Sequence, residues 1–226
     1  MGQTRSTKKQ GEAHRSRQRE GKISKKFDPD ARMAQVLGQP VRIEPIADGA
    51  IGARAMELLD KLRLKYSAGE PGEIHDTFRT LFRHHDATQA YLELGVLLTL
   101  EPALSARDKE LAILRTAWLC GAPVAWGEHV ENGRKAGLTA QDIVRLTQGA
   151  AAPGWRDEDR AIVRAAEELH GDAMISDQTW AALAARLDER QLIELPILVG
   201  HYHMTAFLQN TLRFAPREGN PGLAAR

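Results

Sequence analysis

Apolar residues recur through most of this chain at the three- and four-residue spacing that places them on one face of a helix. The pattern fills successive segments of residues 50–215, which glycine and proline residues separate from one another. A short run that resembles a strand occurs at residues 41–43. We therefore predict an all-α fold in which residues 50–215 form a compact helical bundle.

Capping residues indicate where individual helices begin. Ser105 stands three residues before Asp108, an arrangement that is typical of a helix N-terminus. Gly121 breaks the helix that follows, and Pro123 suits the first turn of the next one. Residues 105–137 are therefore predicted as a helix, a sharp break and a second helix.

The two ends of the chain and the first linker lack the helical pattern. Residues 1–26 contain nine Lys and Arg against two Glu, and they have almost no large apolar side chains. Such a segment cannot bury enough surface to offset the entropy of ordering, so we predict a disordered basic arm. Three prolines make residues 27–49 an irregular strap on the surface, and residues 216–226 are predicted as a flexible tail.

The basic arm has two interpretations. The whole chain has 31 Lys and Arg and 30 Asp and Glu, so removing the arm leaves a body with a net charge of about −6. The arm is either an electrostatic contact for nucleic acid or another acidic partner, or a solubilising tail. Because no aromatic or groove-reading pattern accompanies the charge, a nucleic-acid partner is not expected.

Cysteine content and hydropathy restrict the class of protein. Cys120 is the single cysteine, which excludes an intramolecular disulfide and a metal site with several thiolates. No apolar stretch approaches the roughly 20 residues that span a bilayer, and the N-terminus lacks the apolar core of a signal peptide. We expect a cytoplasmic protein without membrane association.

The helix break holds the side chains best suited to chemistry. Ala122, Ala125, Trp126 and His129 fall on one face of the helix that begins there. Two small residues beside an indole and an imidazole are typical of a pocket wall. Because packed helices cross at about 8–10 Å, Glu110 on the preceding helix could reach the ring, although spacing alone does not show that the two residues touch. A Glu–His pair can act as general acid and base near neutral pH. The alternative is a solvated glutamate and a histidine that forms an ordinary hydrogen bond.

The spacing of Glu110 and His129 resembles that of the carboxymuconolactone decarboxylase and alkylhydroperoxidase D-like superfamily. Its peroxidase branch carries Glu-x11-Cys-x2-Cys-x3-His, whereas this chain has Ala122 and Ala125 in the two cysteine positions. A disulfide-cycling peroxidase needs two thiols. The resemblance therefore implies the decarboxylase-like branch, an all-helical fold and a homo-oligomer (trimer, hexamer or dimer) that uses no cofactor.

That branch implies a lyase or isomerase acting by acid–base chemistry on a small carboxylated lactone or related enolisable acid, as in the catabolism of aromatic compounds. His129 would donate or shuttle the proton, and Glu110 would orient the ring. Arg115 could anchor a substrate carboxylate, with a structural ion pair as an equal alternative. Trp126 would form an apolar wall, and His203 could line the pocket.

Three further points bear on the chemistry. His201 and His203 lie about 200° apart on a helix, so no metal site is predicted. Cys120 could serve a thiol peroxidase with an external resolving thiol, although a lone cysteine is more often a small buried apolar residue. Another alternative is a helical oligomer that binds a ligand without catalysis.

Overall fold

The computed structural model describes residues 28–47, 49–66 and 74–226, and every regular element within these ranges is helical. The predicted all-α fold is therefore confirmed. In chain order, the α-helices are α1 (Pro29–Val36), α2 (Ala53–Tyr66), α3 (Asp76–Leu81), α4 (His85–Leu100), α5 (Ala106–Leu119), α6 (Pro123–Lys135), α7 (Ala140–Gln148), α8 (Asp157–Asp172), α9 (Asp177–Ala184) and α10 (Glu189–Leu212). Two 3-10 turns are also present, at Phe82–His84 and Gly222–Ala224.

Local capping explains where the helices of the bundle begin. The Ser105 hydroxyl accepts the backbone N–H of Asp108 at 3.1 Å, and α5 starts there. Thr139 and Asp188 form reciprocal capping boxes at the starts of α7 and α10. Pro123 occupies the first turn of α6. Because these contacts satisfy backbone N–H groups that have no partner within the helix, the boundaries follow from local sequence.

α5 is the central helix, and α6, α7, α8 and α10 pack around it. Leu111, Ile113 and Leu114 on this helix are completely buried although they point in different directions. A helix surrounded in this way has no broad solvent-facing side, so its charged side chains need partners inside the protein. Glu110 and Arg115 are both buried on α5 and both meet this requirement.

Residues 27–49, predicted as an irregular strap, contain a helix, so that part of the prediction is wrong. α1 begins at Pro29 because proline fits a first helical turn. The Asp28 carboxylate caps the helix by accepting the backbone N–H of Asp30 at 2.9 Å. Val36 in its last turn is buried. Proline breaks a helix in its interior, whereas Pro29, directly after the capping Asp28, lies at a helix start.

Residues 216–226, predicted as a flexible tail, instead pack against the bundle. Leu223 is completely buried. The carbonyl of Ala225 accepts the indole N–H of Trp126 at 3.1 Å. This C-terminal segment therefore covers part of α6, and it does so through a short apolar run that has no helical spacing to predict it.

The predicted basic arm, residues 1–26, lies outside the described residues. Among the helices that the structure describes, none combines the length and the apolar character needed to cross a membrane.

Candidate active site

The helix break brings Glu110 of α5 into contact with His129 of α6. Gly121 has a φ of 55°, in the left-handed region, and lies where the chain turns between the two helices. Carboxylate oxygen Oε2 of Glu110 and ring nitrogen Nδ1 of His129 are 2.7 Å apart. The glutamate is 3% exposed, whereas the histidine side chain is 12% exposed. Solvent therefore reaches this pair through the imidazole.

Tyr202 of α10 extends the pair to three residues. Its hydroxyl lies 2.9 Å from Nε2 of His129, and the two rings meet edge to face with centroids 5.0 Å apart. This tyrosine is not among the predicted site residues. The sequence signal for it is the three- and four-residue spacing that places Leu195, Leu198, Val199 and Tyr202 on one face of α10. The buried positions of α10 are Leu195, Leu198, Val199, His201, Tyr202, Thr205, Ala206 and Gln209.

The pKa of Glu110 determines the protonation of this three-residue chain. Burial raises that pKa, but the facing His129 ring and the Lys109 ammonium, 3.5 Å from Oε1, lower it by more. The net pKa lies below its ordinary value, so the carboxylate is ionised at neutral pH and accepts the proton on Nδ1 of His129. Nε2 then accepts from the Tyr202 hydroxyl when the ring is neutral and donates to its oxygen when the ring is charged.

This arrangement can hold a proton at two positions. The buried carboxylate contacts one ring nitrogen of His129, and the tyrosine hydroxyl contacts the other nitrogen in either form of the ring. Two protonation states with the same heavy-atom geometry are what a general acid–base group requires. The catalytic roles of Glu110 and His129 remain predictions, and their contact gives those predictions a structural basis.

Methyl groups occupy the face of α6 where the peroxidase branch carries its cysteines. Ala122 is 0% exposed and Ala125 is 2% exposed. The backbone N–H of Ala125 donates to the side-chain oxygen of Gln209 at 3.1 Å. Both methyl groups are part of the hydrophobic core, and neither position can supply a thiol.

Trp126, predicted to form the apolar wall of a pocket, is a core residue in this structure. It is 0% exposed, its indole N–H is bound by the Ala225 carbonyl, and its ring lies 4.9 Å from that of Trp118. The C-terminal segment covers the ring. The sequence pattern of α6 does not predict this contact, because the covering residues lie almost 100 positions further along the chain.

Arg115, predicted as a substrate-carboxylate anchor, is bound within the protein. Its Nη2 lies 2.9 Å from a carboxylate oxygen of Glu167, and its Nη1 donates to the carbonyl of Leu146 at 2.7 Å. Burial lowers the pKa of this guanidinium and the facing carboxylate raises it, with burial the larger effect. The structure supports the alternative of a structural ion pair.

His203, predicted to line the pocket, contacts a different set of residues from the Glu110–His129 pair. Its Nε2 lies 2.8 Å from Nδ1 of His170, and Cys120 is close to both rings. Burial raises the pKa of the Cys120 thiol to about 11, while the Arg32 charge acts in the opposite direction. The cysteine is therefore protonated at neutral pH.

A surface cleft of about 360 Å³ lies between the ends of α5, α7 and α8, and its lining does not include the Glu110–His129 pair. Arg107 in this cleft donates to Asp142 at 3.1 Å and to Asp159 at 2.8 Å. Arg156 also binds Asp159 with two hydrogen bonds. Since these charges are paired with one another, the cleft is a structural ion-pair network.

Comparison with known proteins gives a family match over part of the chain and a shared fold. Residues 85–168, which include Glu110 and His129, match the carboxymuconolactone decarboxylase family. No curated protein matches the sequence significantly.

Several solved structures share the fold. An uncharacterised peroxidase-related protein from Silicibacter sp. TM1040 is 15% identical with a TM-score of 0.64, covering 88% of this chain and 97% of its own. The alkylhydroperoxidase AhpD core from Ralstonia eutropha JMP134 is 14% identical with a TM-score of 0.62, covering 80% and 94%. The debrominase Bmp8 in complex with 2,3,4-tribromopyrrole is 10% identical with a TM-score of 0.60, covering 80% and 94%. At these identities the likeness concerns the fold alone.

Proposed function

We propose that this chain, which matches the carboxymuconolactone decarboxylase family over residues 85–168, is an acid–base enzyme. Its substrate is a small carboxylated lactone or a related enolisable acid, and its reaction is that of a carbon–carbon lyase or an isomerase. Glu110 and His129 carry the proton, and Tyr202 is added to them on structural grounds. The expected compartment is the cytoplasm.

One observation carries this proposal: a continuous chain of hydrogen bonds joins a buried carboxylate, an imidazole and a phenol hydroxyl. The two distances are 2.7 Å from Glu110 to His129 and 2.9 Å from His129 to Tyr202. Such a chain can move a proton without a metal or a thiol. Alanines at positions 122 and 125 remove the redox pair while the acid–base residues are kept.

The chemistry of a carboxylated lactone fits these groups. When the carboxylate leaves as carbon dioxide, the C–C bond breaks and its electron pair becomes conjugated with the lactone carbonyl as a dienolate. The dienolate is then protonated on carbon, by His129 directly or through the Tyr202 hydroxyl, and a proton from water restores the donor. Because the lactone carbonyl accepts the electron pair, stabilising that developing charge and supplying the proton are the tasks left to the protein.

The structure gives little support to a thiol peroxidase based on Cys120. With its thiol pKa raised to about 11, roughly one molecule in 10⁴ carries the thiolate at pH 7. The thiolate is the nucleophile that attacks a peroxide, so this position is a poor starting point for that reaction.

We propose that the chain forms a homo-oligomer through the outer face of α10. Large apolar side chains that are 39% to 63% exposed follow one another along this helix at spacings of four, seven and three residues, which places them on one face. Exposed apolar surface of this kind is typical of a protein interface. A second copy presenting the same stripe would cover it. The stripe consists of Ile193, Ile197, Met204 and Phe207.

In light scattering, Phe207→Glu with Ile193→Glu should lower the molar mass, and an unchanged mass would contradict this interface.

The function is tested by incubating the purified protein with γ-carboxymuconolactone and following its conversion to the enol lactone. His129→Ala should lower the turnover by about 10²–10⁴-fold, the usual contribution of a general acid–base residue. His84→Gln is the matched control, because this histidine is exposed on the 3-10 turn and its loss should leave turnover unchanged.

Near-normal turnover in His129→Ala would remove the histidine from the mechanism. If the wild-type protein does not act on this lactone, a panel of related lactones and enolisable acids follows. Tight binding of such a compound without turnover would favour the non-catalytic ligand-binding oligomer instead.

A further inference from the structure

Three potential metal ligands converge at a second place in the bundle. Cys120 directly follows α5, His170 lies in the last turn of α8, and His203 lies on α10. Each offers one ligand atom, and the three atoms lie within 4.8 Å of one another. No two of these residues are close in sequence, so three helices must pack correctly to bring them together.

Hydrogen bonding fixes the protonation of His203. Its Nδ1 lies 2.8 Å from the backbone carbonyl of Val199, which can only accept, so Nδ1 carries the proton. Nε2 is left with its lone pair directed at Nδ1 of His170, 2.8 Å away. A histidine held by a carbonyl at one nitrogen and free to donate electrons at the other is typical of a metal ligand.

We propose that Cys120, His170 and His203 form a binding site for a single Zn²⁺ ion, with two nitrogen ligands, one sulfur ligand and a fourth position open to a water molecule. Zn²⁺ prefers nitrogen and sulfur ligands in a tetrahedral arrangement, and three protein ligands with one open position is a common form. His170 is the most exposed of the three residues, so the open position is on the solvent side.

The ligand spacing fits this ion after small side-chain movements. Zn–N bonds of about 2.0–2.1 Å and a Zn–S bond of about 2.3 Å place tetrahedral ligand atoms about 3.3–3.6 Å apart. The two ring nitrogens, now 2.8 Å apart, would separate by about 0.5 Å as the ion replaces the shared proton. The thiol would approach the rings by about 1 Å from the widest separation that the cluster allows, 4.8 Å.

The surrounding contacts hold the ligands in place. The side-chain amide of Asn210, also on α10, donates to the Cys120 carbonyl at 3.1 Å, which ties the end of α5 to the helix that carries His203. Phe207 meets the His203 ring edge to face, with centroids 6.2 Å apart. The ion would therefore bind to a framework that exists before it arrives.

Proton release accompanies this binding. The Cys120 thiol must lose its proton to bind the ion, whereas each histidine needs only a lone pair. The proton that His170 carries on Nδ1, between the two rings, moves to Nε2 of the same ring, so both histidines stay neutral. One proton should therefore leave per ion bound near pH 7. The site shares no residue with Glu110, His129 and Tyr202, so it does not depend on the proposed function.

Titration of Co²⁺ into the full chain, prepared without a polyhistidine tag, tests the site. Co²⁺ takes the place of Zn²⁺ and is visible in absorption. We expect a near-ultraviolet thiolate-to-cobalt band and the intense visible bands of a four-coordinate ion, saturating at one ion per chain. Adding Zn²⁺ should remove both, and calorimetry of Zn²⁺ binding in two buffers should show about one proton released per ion.

Variants assign the ligands. Cys120→Ser should abolish the thiolate band, and His170→Gln or His203→Gln should each weaken binding at least about tenfold. His84→Gln and His129→Ala are the controls and should bind as the wild type does. Absence of the thiolate band at saturating Co²⁺, or its persistence with full affinity in both histidine variants, would overturn the proposal.

Discussion

Two buried ion pairs involve residues of the central helix α5, and they differ in the groups that form the remaining hydrogen bonds of each pair. Glu110 contacts His129 at 2.7 Å, and Arg115 contacts Glu167 at 2.9 Å. The first pair continues to the Tyr202 hydroxyl and to a histidine that solvent reaches. The second is closed by the backbone, because the Leu146 carbonyl accepts from the guanidinium and the Ala150 N–H donates to the carboxylate.

The difference shows that a buried charge alone does not identify a catalytic group. Both pairs are enclosed, and both involve a carboxylate with a nitrogen partner. An arginine holds its proton at any ordinary pH, whereas a histidine exchanges its proton near neutrality. Of the two pairs, only Glu110–His129 contains a residue that can gain and lose a proton near neutral pH, and the partly exposed His129 ring lets that proton exchange with solvent. Matched substitutions of the two glutamates therefore separate catalysis from folding.

Glu110→Gln should have the largest effect on activity. The amide keeps the size of the side chain but removes the charge that faces Nδ1 of His129 and orients the ring. We expect turnover on the responsive substrate to fall about 10²–10⁴-fold. Urea unfolding of the same variant should show a smaller change, of about 1–3 kcal/mol, for one altered buried hydrogen bond. Turnover within a factor of two of the wild type would show that the Glu110–His129 pair is structural, as the Arg115–Glu167 pair is.

Glu167→Gln should have the opposite signature. It leaves the Arg115 guanidinium buried without a countercharge, which costs about 3–5 kcal/mol of unfolding free energy. Turnover per folded molecule should stay near the wild-type value. Glu167→Leu combined with Arg115→Met removes both charges and should recover most of the lost stability. A loss of activity that the folded fraction does not explain would show that this pair also serves the reaction.

The parts of the molecule that local sequence predicts are those fixed by contacts within a few residues. Ser105 caps α5 through a residue three positions away, and propensity and spacing are sufficient for such a feature. Glu110 and His129 lie 19 residues apart, and their pairing was predicted from the resemblance to the family pattern.

Features that depend on distant contacts gave weaker signals or none. Tyr202 reaches His129 from 73 residues away, so its role appears only when α10 packs on α6. Leu223 is buried by tertiary packing of a segment with no helical period. The Cys120 cluster needs three helices at once. The spacing of apolar residues in a sequence indicates which face of a helix is apolar. It does not indicate which distant helix or segment packs against that face, because tertiary packing decides this.

His201 provides a third buried ionisable group, without a carboxylate facing it, and should make stability depend on pH. It is 6% exposed and stacks on Tyr91, and its Nδ1 has no hydrogen-bond partner among the described residues. Burial lowers its pKa from 6.5 to about 4. The unfolded chain therefore binds a proton more readily than the folded protein. This group's unfavourable effect is absent above about pH 6.5 and grows as the pH falls towards 4, to about 3 kcal/mol.

Urea denaturation at a series of pH values measures this effect. His201→Gln keeps a polar side chain that does not titrate, so the difference in unfolding free energy between the wild type and this variant should slope between pH 6.5 and 4 and level off below that range. A difference that does not vary with pH would mean that burial does not hinder protonation of the His201 ring, and would contradict this prediction.

Tyr202→Phe should have the smallest effect and the most informative one. Phenylalanine keeps the edge-to-face contact with His129 and removes only the hydroxyl that lies 2.9 Å from Nε2. If the tyrosine positions the ring and relays its proton, turnover should fall about 10–100-fold, less than for loss of the general acid itself. The two roles separate in the pH profile. A relay makes the loss vary with pH, because the hydroxyl accepts from charged His129 and donates to the neutral ring. A purely packing residue would leave both turnover and profile unchanged, and the catalytic unit would then consist of Glu110 and His129 alone.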